Sequence, residues 1–67
     1  MKATIWTIDN CQFCVKAKKL MALKGIEYEE ISGFHDNWQT VPYITVNGEE
    51  VGGFTEFVAY CRKLNSL

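Results

Sequence analysis

The chain has 67 residues, 48% of them hydrophobic and 22% charged. That length allows one domain with a modest core, and the apolar share lets burial offset conformational entropy without a metal or disulfide framework as staple. Seven basic against eight acidic residues leave a net charge of -1, and the clustered lysines Lys16, Lys18, Lys19 and Lys24 share one expected helix, so nucleic acid is a poor candidate partner.

Ala3 to Ile8 is rich in β-branched and aromatic residues and ends at the turn pair Asp9-Asn10, which predicts the first strand. From Cys11 the apolar spacing changes to three and four residues, through Phe13, Ala17, Leu20, Met21 and Leu23, and Gly25 follows Lys24 as a stop. This predicts a helix started by Asn10 or Cys11. Ile26 to Ile31 reads as a second strand with Ile26, Tyr28 and Ile31 inward, and two strands joined by one helix imply a parallel crossover. Ser32 to Gln39 is expected to be a short connection, within which Phe34, His35 and Trp38 suit one amphipathic helical turn. Tyr43 to Val46 and Glu49 to Val51 flank Asn47-Gly48, the dipeptide best suited to a two-residue hairpin. Gly52-Gly53 then breaks the strand, and Thr55 is the expected cap of a last helix that buries Phe57, Val58, Cys61 and Leu64.

The order β-α-β-[short α]-β-β-α predicts an α/β fold of thioredoxin-like outline, a four-stranded mixed sheet with flanking helices, formed by a single domain over 1–67. No stretch reaches the apolar length of a signal or a membrane span. The expected setting is the cytoplasm, without a membrane partner. There the reducing thiol pool keeps ordinary disulfides open, and the odd number of cysteines, three, argues against a structural disulfide framework.

Cys11-Gln12-Phe13-Cys14 carries the chemical signal. A cysteine after a strand and at a helix start meets unsatisfied backbone N–H groups and the positive end of the helix dipole, both of which favour a thiolate. The two-residue spacing lets the second sulfur reach the first on the opening turn. Zinc is the weaker alternative, because Cys61 and His35 lack the close paired spacing of a second half-site; no metal is expected. Cys61 shares the register of Phe57 and Leu64 and reads as a small core hydrophobe, and His35 is assigned no role. Pro42 starts a strand, where a missing N–H is tolerated, and the residues alone leave a trans bond as the commoner state.

These motifs together resemble the glutaredoxin family over nearly the whole chain. Trp6-Thr7 to Cys14, followed by Ala17-Lys18 and Leu20, is similar to the family's active-site strand and helix. Thr40-Val41-Pro42 is similar to its Thr-Val-Pro segment, and Val51-Gly52-Gly53-Phe54 to its Gly-Gly turn. The resemblance implies a glutathione-dependent thiol-disulfide oxidoreductase with Cys11 and Cys14 catalytic, Gln12 and Phe13 in the active-site loop, and Pro42 cis. It implies glutathione as co-substrate, with no tightly bound cofactor, held by the Val41 backbone beside Pro42 and by Gly53, Phe54 and Thr55. The implied partners are disulfide-containing or glutathionylated proteins, ribonucleotide reductase among them, met by a monomer.

The chain also departs from the family. Gln12-Phe13 replaces the usual Pro-Tyr, Ile8 stands where many relatives carry a basic residue, and Thr55 stands where an acidic residue often follows the Gly-Gly turn. The connector is shorter than the family's second helix, and Gln39 is the candidate to bind glutathione in that helix's place. Two rivals follow: a redoxin of the same fold that serves ribonucleotide reductase with electrons from thioredoxin reductase, and a zinc or iron-sulfur module.

Overall fold

Ala3, Ile5 and Thr7 are buried while Lys2, Thr4 and Trp6 between them are not, and this period of two gives the first strand one inner and one outer face. The computed structural model describes residues 1–65; Ser66 and Leu67, the end of the domain expected over 1–67, lie outside them. Strand β1 (Lys2–Thr7) is followed by α1 (Gln12–Leu23), β2 (Glu27–Ser32), β3 (Tyr43–Val46), β4 (Glu49–Gly52) and α2 (Phe54–Asn65). The sheet has four strands in the order β2-β1-β3-β4, with β1 parallel to β2 and antiparallel to β3, and β3 antiparallel to β4. The expected thioredoxin-like, mixed four-stranded sheet with two helices is thus present. No described helix is long and apolar enough to cross a membrane.

One core holds these elements together. Ala3 and Ile5 of β1, Ile44 and Val46 of β3, Ala17 and Met21 of α1, and Phe57 and Cys61 of α2 form a single buried cluster with Ile26. Both helices therefore cover the same sheet face. Val58 and Leu64, expected in the buried stripe of α2, are only half-buried; the partly buried residues packed against this cluster are Leu20, Val51, Phe54 and Tyr60.

The connector after β2 forms turns and bends, with a bond from the Trp38 N–H to the His35 carbonyl at 3.1 Å, and the expected helical turn is not formed. The reason lies on the outer sheet face. Trp6 and Tyr43 are partners across β1 and β3, and His35 packs against both, with ring centroids 4.8 and 4.5 Å away. Trp38 adds a contact to Tyr43 at 5.4 Å. These rings bury Tyr43 to 3% exposure without a helix. Burial, then the Glu50 carboxylate that accepts the Tyr43 hydroxyl at 2.8 Å, push the phenol pKa up.

Three further expectations need correction. Tyr28 and Ile31 are each 38% exposed rather than inward, because β2 is an edge strand and residues three apart point to opposite faces. Its Glu27, Glu29 and Glu30 place charge on an edge that would otherwise invite pairing. On α1, Phe13 and Leu23 are 54% and 83% exposed. The buried line runs through Cys14, Ala17 and Met21; at about 100° per residue Leu23 falls on the opposite side of the helix, while Phe13 lies on the flank of this line at the helix start, where its ring meets that of Phe54. At α2, Gly53 rather than Thr55 precedes the helix, and Glu56 reaches back to accept the Gly53 N–H at 2.8 Å, half of a capping box.

The hairpin stands as expected. Asn47 and Gly48 have φ of 53° and 82°, the doubly positive geometry of the tight hairpin turn.

Candidate active site

β1 ends at Thr7, and Asn10, with φ 60°, turns the chain toward α1 in a conformation asparagine tolerates. Cys11 takes the N-cap position in extended geometry, and its Sγ accepts the Cys14 N–H at 3.1 Å. The sulfur thus sits on one of the N–H groups that a helix start leaves unpaired, at the positive end of the dipole. Negative charge on Cys11 Sγ is favoured there. Cys11 and Cys14 are joined by a disulfide, with Cα atoms 5.2 Å apart. Cys11 is half-buried, whereas Cys14 is 2% exposed. Cys11 is thus the more exposed sulfur of the pair.

Two grooves flank this turn. The first, of about 780 Å³, is lined by Ile8, Cys11, Gln12 and Cys14 and continues to Thr7, Lys18 and Glu30. Glu30 Oε2 accepts from the Thr7 hydroxyl at 2.6 Å and from Lys18 Nζ at 3.1 Å. These partners, the Thr7 bond foremost, hold the Glu30 carboxyl below its ordinary 4.5. The folded value lies below the unfolded one, so the stabilisation is full above 4.5 and fades as pH falls through the folded value. With the Glu30 side chain 41% exposed, solvent screening keeps the effect under about 1 kcal/mol. Melting temperatures of wild type and Glu30→Gln are expected to differ most near neutrality and to converge in acid; a gap that stays constant with pH contradicts this.

The second groove, of about 220 Å³, brings together five of the expected glutathione contacts, Val41, Pro42, Gly53, Phe54 and Thr55. The Val41-Pro42 peptide bond is cis. Phe13 forms one wall, its ring 5.6 Å from that of Phe54, and Lys16 Nζ stands 5.1 Å over the Phe13 ring. Gln12 and Phe13 thus open onto different grooves from the first turn of α1. Gly52, with φ 118°, is a position for glycine alone, because an added Cβ would also meet Glu56 Cγ at 3.1 Å.

Gln39 is exposed and lines neither groove. Its neighbours Trp38 and Thr40 line the second, as does Glu56, and none of these three was expected from sequence. Glu56 had a signal, lying three residues after Gly53 as the acid of a capping box does. Trp38 had none, because its place depends on Tyr43 from another element. Cys61, 3% exposed, belongs to the core, and burial pushes its thiol pKa up. Among the described residues, no three or more His, Cys, Asp and Glu side chains gather as a metal site.

Comparison with known proteins agrees with this geometry. The chain is 34% identical to the hybrid peroxiredoxin hyPrx5 of Haemophilus influenzae, a match covering 85% of this chain and 28% of that protein. It is also 34% identical to glutaredoxin 1 of Rickettsia conorii, covering 73% of this chain and 61% of that one. The chain therefore spans less than two thirds of these curated relatives. The crystal structure of glutaredoxin 1 from Francisella tularensis, complexed with cacodylate, aligns with a TM-score of 0.83 at 26% identity, over 98% of each chain. Residues 3–36 match the family model described as Glutaredoxin, a match that takes in β1, the Cys11–Cys14 pair, α1 and β2, and the chain belongs to the glutaredoxin family.

Proposed function

We propose that this chain is a thiol-disulfide oxidoreductase that draws its electrons from glutathione. The observation that carries this is the asymmetric pair, with Cys11 reachable at the head of α1 and Cys14 covered behind it. In the reduced protein, the Cys11 thiolate attacks the glutathione sulfur of a glutathionylated protein. A Cys11-glutathione disulfide forms, the substrate S–S bond breaks, and the substrate sulfur leaves as a thiolate that takes a proton. A second glutathione thiolate then attacks this mixed disulfide, which releases oxidised glutathione and restores Cys11. With a protein disulfide, Cys14 loses its proton and displaces the bound substrate sulfur, leaving Cys11–Cys14 oxidised until two glutathiones reduce it.

In this reading glutathione lies across the Val41-Pro42 backbone, with its γ-glutamyl end in the groove by Gly53, Phe54 and Thr55. That placement is supported by the convergence of these residues on one groove and by the affinity of helix N-termini for carboxylates. The substrates are glutathionylated proteins and protein disulfides, that of ribonucleotide reductase among them, and the protein works as a monomer in the reducing cytoplasm. One observation favours a second donor: Ile8, 41% exposed, offers no charge beside Cys11, and among the described residues no Lys or Arg lines the groove at Gly53. The test is NADPH-linked reduction of a small mixed disulfide with glutathione and glutathione reductase, run beside thioredoxin reductase without glutathione. Turnover in the first is expected; turnover confined to the second transfers the assignment to a thioredoxin-reductase-coupled redoxin.

A further inference from the structure

The groove between Pro42 and the start of α2 holds a buried donor with nothing to receive it. Among the described residues, Trp38 Nε1 is the buried side-chain nitrogen or oxygen atom that has no hydrogen-bond partner. Buried N–H groups are paired in the great majority of native structures, and an exception needs a reason. Ring packing accounts for where the indole sits, since it lies on Tyr43 at 5.4 Å with 35° between planes, while Tyr43 is itself held by Trp6 and His35. Nothing in that packing uses the N–H.

Its surroundings show what it can meet. A Cβ built on Gly53 would lie 3.9 Å from Trp38 Nε1, 3.6 Å from the Pro42 carbonyl and 3.0 Å from Glu56 Oε1. The indole nitrogen therefore borders the space that the absent side chain of Gly53 leaves in the groove. The neighbouring Gly53 N–H is already donated to Glu56 at 2.8 Å, and among the described residues no Lys or Arg lines the groove. A ligand oxygen that settles beside Gly53 meets the indole as the buried donor still free to bond.

We propose that Trp38 is a glutathione-binding residue, its indole N–H taking an oxygen of the γ-glutamyl end and setting how tightly glutathione is held. This rests on the glutathione reading above. A buried donor that gains its acceptor only on binding contributes directly to affinity, and losing such a bond is worth about tenfold.

Trp38→Phe keeps a ring against Tyr43 and removes the N–H. In the glutathione-coupled assay its KM for glutathione is expected to rise about tenfold with kcat within about twofold. Reduction of its Cys11–Cys14 disulfide by dithiothreitol, which needs no groove, is expected to proceed at the wild-type rate. The wild-type protein gives a second readout, because the chain has two tryptophans and their indole N–H signals can be followed by NMR. Titration with S-methylglutathione, which cannot exchange disulfides, is expected to move the Trp38 signal downfield and leave that of Trp6. An unchanged KM in Trp38→Phe, with a wild type that turns over glutathione, overturns the role of Trp38 and leaves the glutathione reading standing. A wild type without saturable glutathione turnover overturns both. Should the variant not fold, the indole signals decide, and a Trp38 shift no larger than that of Trp6 overturns the inference.

Discussion

Cys11→Ser is expected to lose activity toward glutathionylated and protein-disulfide substrates alike, whereas Cys14→Ser is expected to lose only the second. Both routes begin with a sulfur at position 11, and a serine hydroxyl at the same helix start cannot form a disulfide, so the loss is at least about a thousandfold. The glutathione route ends when a second glutathione attacks the Cys11 mixed disulfide, a step that does not involve Cys14. Cys14→Ser should therefore keep at least about a tenth of the wild-type rate on a small glutathione mixed disulfide. On a protein disulfide it should stall, with substrate covalently trapped at Cys11. Steady-state rates of the two variants on the two substrates check this. Substantial activity in Cys11→Ser would show that Cys11 is not the nucleophile, and the burial of Cys14 at 2% exposure would then need another explanation.

The second large effect concerns the fold. Phe57 is fully buried where α2 meets Ile5, Met21 and Ile44, and it is among the largest buried side chains. Phe57→Ala removes most of a ring from a core with little redundancy, at a cost of about 3–5 kcal/mol. A chain of 67 residues has a total stability of about 3–10 kcal/mol. The variant is expected to be largely unfolded or to melt far below the wild type. Phe13→Ala is the contrast, since Phe13 is 54% exposed and touches Phe54 and Lys16 at the groove. It should cost about 1 kcal/mol or less in stability. Urea unfolding followed by circular dichroism separates the two, and comparable losses at both positions contradict the placement of the core.

The contrast between these phenylalanines also shows which parts of the structure the sequence reveals. Cys11 at a helix start and Asn47-Gly48 in a hairpin are governed by neighbours within a few residues, so their geometry is legible from the chain. Phe13 fits an apolar helical spacing, but whether it is buried depends on how α1 is rotated over the sheet, which local spacing fixes only to within a residue or so. Tyr28 and Ile31 have good strand character, yet their exposure follows from β2 being an edge strand. The connector is the extreme case. His35 and Trp38 leave the expected helical turn because Trp6 and Tyr43, brought side by side by the β1–β3 register, offer them aromatic surface.

The candidate site divides in the same way. The cysteines and the segments around Val41-Pro42 and Gly53 follow from motifs, and the fold brings the last two to one groove. Gln39 and Trp38 are adjacent, and sequence spacing does not distinguish them; the ring contact with Tyr43 places the indole at the groove while Gln39 is exposed. The Glu56 carboxylate, by bonding to the Gly53 N–H, occupies a donor that the reading from motifs left to the ligand.

The most direct measurement is mass spectrometry of reduced Cys14→Ser protein after brief exposure to oxidised glutathione, with peptide mapping of the attached thiol. The account predicts one glutathione on Cys11, none on the buried Cys61, and removal of the adduct by added glutathione with recovery of the free thiol. A protein that stays unmodified at Cys11, or that is modified at Cys61 instead, contradicts the claim that Cys11 is the sulfur through which glutathione acts.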